Sequence, residues 1–288
     1  MSNIKNLTLQ QSLNIFKNAQ LGEQHLNLLN SIIELGNSIN NPYNITLEDI
    51  SFNDGHWNIS YCGDTVFIEC VSRKSICYGD GSPERKKLNI IYHAIQRNTN
   101  IKKLDMKVGS SPSLLTQILC FFEYHFFINL VYLRIIGNDD DFKYGLYNPM
   151  SRIALSNIKF LIYSNMNMGN PKHIHDFSTI FRINHSLVYV DISSNRLGNH
   201  YIEILMKSLM ANISSKIAIL KLNNNRFGDE GLLHVIKALK FYKEIIDVDI
   251  DDCCSPTLFS TKVLNSFYEH LNNNIKHMSL LSFALLFI

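Results

Sequence analysis

Two stretches of this chain carry one pattern. LVYVDISSNRLGNHYIEILMKSLMAN begins at Leu187, and IAILKLNNNRFGDEGLLHVIKALKFY begins at Ile217. Each follows LxxLxLxxNxL and continues into a segment with apolar residues at three- and four-residue spacing. Asn195 and Asn225 fall at equivalent places, 30 residues apart. A recurring period of this size dictates a stack of like units, because one unit cannot bury its own apolar face.

The pattern extends both ways. IIDVDIDDC puts Ile245, Val248 and Ile250 at the strand positions and Cys253 at the Asn position; IKHMSL (Ile275, Met278, Leu280) suits one more strand. Upstream, LVYLRIIGN gives Leu130, Leu133, Ile135 and Asn138. IKKLDMKVG gives Ile101, Leu104 and Met106, with Gly109 in place of Asn, and Leu88 to Asn100 is the helix of the preceding unit. A strand is required near Phe160 and Ile162, with Asn165 following and Asn167 competing for the same role. The apolar residues of LxLxx alternate with period two, so one face of a short strand enters the core. An Asn side chain can satisfy backbone groups left open where the chain turns out of the strand. The return segment, as in Leu232, Leu233, Val235, Ile236 and Leu239, has the spacing of a helix face.

Repeats of 28 to 30 residues with LxxLxLxxN and a full helix resemble the ribonuclease-inhibitor subtype of the leucine-rich-repeat family, over roughly Leu88 to Leu280. The resemblance implies an α/β solenoid, a horseshoe with a curved parallel sheet inside and helices outside. It also implies a non-enzymatic protein that grips another protein on its concave face. The first 80 residues differ: two helical stretches broken near Gly22, then alternation around Asn53-Asp54-Gly55 and Gly63-Asp64 that suggests a small β-meander. Leu47, Ile50, Phe52 and Gly55 could instead be a degenerate first repeat. Residues 1–80 are therefore expected to cap an array spanning 81–288.

At 46% hydrophobic and 18% charged, the chain has ample core and is not disordered. Net charge is +2, too small to imply nucleic acid or an acidic membrane from bulk electrostatics, so any charge argument must be local. The apolar window from Ile118 to Ile136 contains Glu123, His125, Asn129 and Arg134, and suits a buried helix followed by a strand better than a membrane span. With no apolar signal core near the start, a soluble cytoplasmic protein is expected, without membrane insertion. Free, mostly buried thiols are expected for Cys62, Cys70, Cys77, Cys120, Cys253 and Cys254, a bridge among the first three being the weaker alternative.

No catalytic constellation, phosphate loop or nucleophile elbow is evident, and no cofactor is implied. His173-Ile174-His175 lacks a third metal ligand at suitable spacing and lies beside Pro171 in what looks like a connecting segment. Asp249, Asp251 and Asp252 lack the spacing of a calcium loop.

Residues between the core positions of the strands should face the concave side. They are Lys103 and Arg134 early; Tyr132, Lys159, Tyr163, Tyr189 and Asp191 in the middle; Lys221, Asp247, Asp249 and Asp251 late. Lys102, Lys107 and Leu161 belong to the same set. The face is thus expected to run from basic through tyrosine-rich to acidic, a distribution suited to a protein partner. Asn-, Ile- and Lys-rich usage, a short array and an apolar tail also resemble leucine-rich-repeat effectors that intracellular bacteria inject through type IV secretion. That resemblance implies action on a host protein or another effector, with inhibition of an enzyme as one outcome. An adaptor that recruits a protein is the alternative, and an unrecognised enzyme ranks last.

Overall fold

The protein is seen here as a computed structural model, which describes residues 51–53, 57–62, 64–70, 101–107, 129–137, 153–169, 171–253 and 259–278. All of these except Met278 lie in the compact unit Thr46–His277. The expected helices within residues 1–45 and 88–100, and the tail from 279, lie outside the described residues.

Nine strands form one sheet in sequence order: β1 (Ser51–Asn53), β2 (Trp57–Cys62), β3 (Thr65–Cys70), β4 (Lys103–Lys107), β5 (Tyr132–Ile136), β6 (Phe160–Ser164), β7 (Tyr189–Asp191), β8 (Ile219–Lys221) and β9 (Asp247–Asp249). The expected meander is present, since β1, β2 and β3 pair antiparallel. From β3 onward every pairing is parallel. Parallel neighbours need crossovers, and the last three are helices: α1 (Pro171–Ile183), α2 (Asn199–Met210) and α3 (Asp229–Phe241), with α4 (Thr261–His277) after β9.

From β3 onward, alternate residues of the strands enter the core. Leu104 and Met106, Leu133 and Ile135, Val190 and Ile192, Leu220 and Leu222, and Val248 and Ile250 join one apolar cluster with Phe177 and Phe181 of α1, Leu205 of α2, Leu239 of α3 and Phe267 of α4. Burying each aromatic ring of this kind contributes on the order of 2–3 kcal/mol. Helices pack in the order α1 on α2, α2 on α3 and α3 on α4, so each unit rests on its neighbour.

Three sets of side-chain hydrogen bonds fix that stacking. At the strand exits, Asn225 is buried and fully used. Its Oδ1 accepts the N–H groups of Asn195 and Leu197, both at 3.0 Å, and its Nδ2 donates to the carbonyls of Ile192 and Leu222. Asn195 repeats this one unit earlier, accepting from Met166 N–H and donating to Tyr163 O. Cys253 occupies the same position, as its spacing predicts, and its thiol donates to Leu222 O at 2.9 Å. The residue before each is held at positive φ: Asn165, Ser194, Asn224 and Asp252. Short polar side chains tolerate that left-handed region best among non-glycine residues.

A second set lies where helices hand over to strands. Asn184 Nδ2 donates to Ile153 O and Ser156 O, and Asn212 Nδ2 donates to Phe181 O and Asn184 O. Tyr242 takes the next place, its hydroxyl donating to Leu209 O and Asn212 O. Asn274 Nδ2 then reaches the carbonyls of Leu239, Tyr242 and Ile245. The third set caps helices across repeats. Asn199 Oδ1, on α2, accepts from Gly228 and Gly231 at the start of α3, and Asp229 accepts from Ser260 ahead of α4. Open N–H groups at a helix start are thereby met by the preceding unit.

Three expectations need correction. In β6, Leu161 and Tyr163 enter the core and Phe160 and Ile162 lie opposite, one residue from the expected register. The Asn position there is Met166, neither Asn165 nor Asn167, because Met166 aligns with Asn195 and is fully buried. Ile275 to His277 complete α4 rather than starting a strand, as Leu264, Phe267, Leu271 and Ile275 keep helical spacing against the core. His173-Ile174-His175 lies within α1, not in a connecting segment.

Candidate functional site

The sheet face opposite the apolar cluster carries the remaining strand residues. Pairing registers arrange them in two rows. The first runs Lys103, Tyr132, Phe160, Tyr189, Ile219, Asp247; the second runs Asp105, Arg134, Ile162, Asp191, Lys221, Asp249. Tyr132, Phe160, Ile162 and Ile219 are buried yet outside the core cluster, and form a separate apolar band across the middle of this face. Phe160 and Tyr189 rings meet with centroids 6.2 Å apart. Half-buried Lys103, Arg134, Tyr189, Asp191, Lys221 and Asp249 offer the accessible groups around that band.

Asp251 follows in the turn after β9, its N–H donating to Asp249 Oδ1. Three expected members are elsewhere. Tyr163 is in the core, 2% exposed, its ring against Phe177, so burial pushes its hydroxyl pKa well above the usual range. Lys159 has the parity of Leu161 and lies at the entry to β6, where burial and then the charge of Lys216 depress its pKa. Leu161, by the same register, is a core residue. All three errors come from the register of FLIYS, a strand with four large ring or aliphatic residues in a row, in which polarity cannot mark the two faces.

Charge on the face also differs from the simple gradient. The basic side is largely neutralised within the protein: Lys103 lies 3.5 Å from Asp64, Lys107 lies 3.8 Å from Glu69, and Arg134 donates to Asp105 at 2.7 Å. On the other side Lys221 meets Asp247 at 2.8 Å, and Asp191, Asp249, Asp251 and Asp252 make this the carboxylate-rich side. Tyr189 registers that field, its pKa raised by burial first and then by Asp191, Asp247 and Asp249. Tyr132 is raised by burial and by Asp105, and its buried hydroxyl has no hydrogen-bond partner.

No family model matches the chain, and no curated protein matches it in sequence. Comparison of folds does find similar solved structures. One, titled leiomodin-1 actin-binding site 2, is 17% identical with a TM-score of 0.38, covering 44% of this chain and 72% of that one. Another, the tropomodulin C-terminal domain of Caenorhabditis elegans, is 12% identical with a TM-score of 0.39, covering 64% and 91%. The α/β class with a parallel repeat sheet rests on this chain's own registers. Among the described residues, no helix is long and apolar enough to cross a membrane.

Proposed function

We propose that this is a protein-binding module whose sheet face opposite the described helices docks a protein partner without catalysis. The observation that carries the reading is the band Tyr132–Phe160–Tyr189–Ile219 across four strands, bordered by half-buried charged residues. Interfaces combine an apolar aromatic centre with a polar rim in this way.

The fuller form of the proposal follows the resemblance of the repeats. The sheet is the concave side of a ribonuclease-inhibitor-like horseshoe, residues 1–80 cap the array at 81–288, and Lys103, Tyr132, Arg134, Tyr189, Asp191, Lys221, Asp247, Asp249 and Asp251 form the binding face. The narrowest form is an injected effector that occludes an enzyme's active site; an adaptor is the alternative, separated from it by whether the bound enzyme loses activity.

The test is affinity capture from host lysate and from co-secreted bacterial proteins, followed by titration of the partner identified. The double variant Tyr189→Ala/Asp191→Ala is expected to weaken binding by about tenfold or more while its melting profile stays close to the parent's. Unchanged affinity in the folded variant rejects this face as the site.

A further inference from the structure

The edge where helices hand over to strands combines two features that no binding at the sheet face requires. The large apolar side chains exposed among the described residues are Leu155, Ile183, Ile213, Leu233 and Phe241, and four of those five sit on this edge. Leu155 precedes Ser156, Ile183 precedes Asn184, Ile213 follows Asn212 and Phe241 precedes Tyr242, so each flanks a member of the buried hydrogen-bonded set that joins the units. The inner residue is pinned, and its neighbour is turned out. Exposures of 58% for Leu155, 38% for Ile183, 85% for Ile213 and 55% for Phe241 show how fully. Scattered single exposures need no explanation, but a row repeated unit by unit along one edge does.

Charge is the second feature. The helix ends and following loops at 153–159, 180–188, 207–218, 237–246 and 274–277 contain one carboxylate, Glu244. Arg182, Lys216, Lys240, Lys243 and Lys276 are all exposed there. Basic residues in a last helical turn also answer the helix dipole, and that accounts for Arg182, Lys240 and Lys276. It does not account for Lys216 and Lys243, which lie beyond the helix ends. The opposite edge behaves differently: Arg226, Glu230 and Asp252 mix both signs, and Leu197 and Phe227 are buried completely. The small net charge of the chain therefore conceals a basic, apolar edge beside an acid-rich sheet face.

We propose that this edge rests on an anionic lipid bilayer, with Ile213 and Phe241 entering the headgroup layer and Lys216, Lys240 and Lys243 facing lipid phosphates. Protruding apolar groups flanked by lysines suit that chemistry, as peripheral binding draws on both apolar burial and attraction to acidic lipids. A protein held this way lies on the membrane and does not span it.

Flotation of the full chain with vesicles tests the proposal. Binding is expected to phosphatidylcholine vesicles containing roughly 30% phosphatidylserine, and not to phosphatidylcholine alone. Ile213→Ser/Phe241→Ser and Lys240→Glu/Lys243→Glu should each reduce the bound fraction by about tenfold, given the contribution of each apolar and basic group. Leu233→Ser, an exposed apolar residue of α3 away from this edge, should bind as the parent does, and thermal melting would show that all three variants fold. Failure of the parent to float with acidic vesicles overturns the proposal. So does full binding by Ile213→Ser/Phe241→Ser alongside loss in the lysine variant, since that pattern is electrostatic adsorption with no entry of the apolar pair into the headgroup layer.

Discussion

Asn225→Ala is expected to lower the unfolding free energy by about 4 kcal/mol, a large share of what holds a domain of ordinary stability. Three backbone groups lose their side-chain partner at once, the N–H groups of Asn195 and Leu197 and the carbonyl of Ile192, while the Leu222 carbonyl is left with the Cys253 thiol. Each buried group left open costs about 1–3 kcal/mol, and water entering the vacated space recovers part of it. Asn195 has two such bonds, to Met166 N–H and Tyr163 O, so Asn195→Ala should cost about half as much. Urea titration of both variants checks the ordering. A loss below about 1 kcal/mol at Asn225 would mean that backbone stacking alone sustains the array.

Arg134→Ala is expected to cost about 3 kcal/mol at pH 7, and distinctly less near pH 4. Arg134 and Asp105 face each other with both side chains mostly buried. Burial raises the Asp105 pKa above its usual value, and Arg134 is the main influence pulling it back down. A carboxyl whose pKa is higher folded than unfolded weakens the fold above the folded pKa, and that penalty fades as pH falls towards the unfolded value. Removing the guanidinium lifts the folded pKa further, so the penalty grows at neutral pH and disappears on acidification. The double variant Arg134→Ala/Asp105→Asn should therefore regain stability at pH 7 relative to Arg134→Ala. Denaturation curves at the two pH values decide it: equal losses at both would show that the arginine stabilises by packing of its stem, not by charge.

Much of this architecture was legible because the strands alternate. VYVDIS and AILKLN mark their buried positions by polarity, and the parity of Leu104, Leu133, Val190, Leu220 and Val248 could be assigned correctly from that alone. FLIYS offered no such mark, and Asn residues on both sides of Met166 invited two wrong alignments. The ion pairs that neutralise the basic side were illegible for another reason. Asp64 and Glu69 reach Lys103 and Lys107 only because β3 joins the parallel run, a pairing that sequence spacing does not fix. Asn184, Asn212 and Tyr242, by contrast, recur at 28 and 30 residues, and that signal was open to reading. It lies in the connections, where asparagine is so ordinary a residue that periodicity is easily passed over.

Apart from Asn225 to Leu222 O and Asn274 to Ile245 O, the Asn and Tyr bonds described here join neighbouring units, and none skips a unit. The molecule is therefore fastened like a zip and not like a knot. A pull on its two ends has no single clasp to break; units come away in turn, each releasing a length of chain on the order of 100 Å. Strength under tension is then set by the weakest junction rather than by the sum of them. Lengthening such a protein by another repeat adds reach without adding resistance.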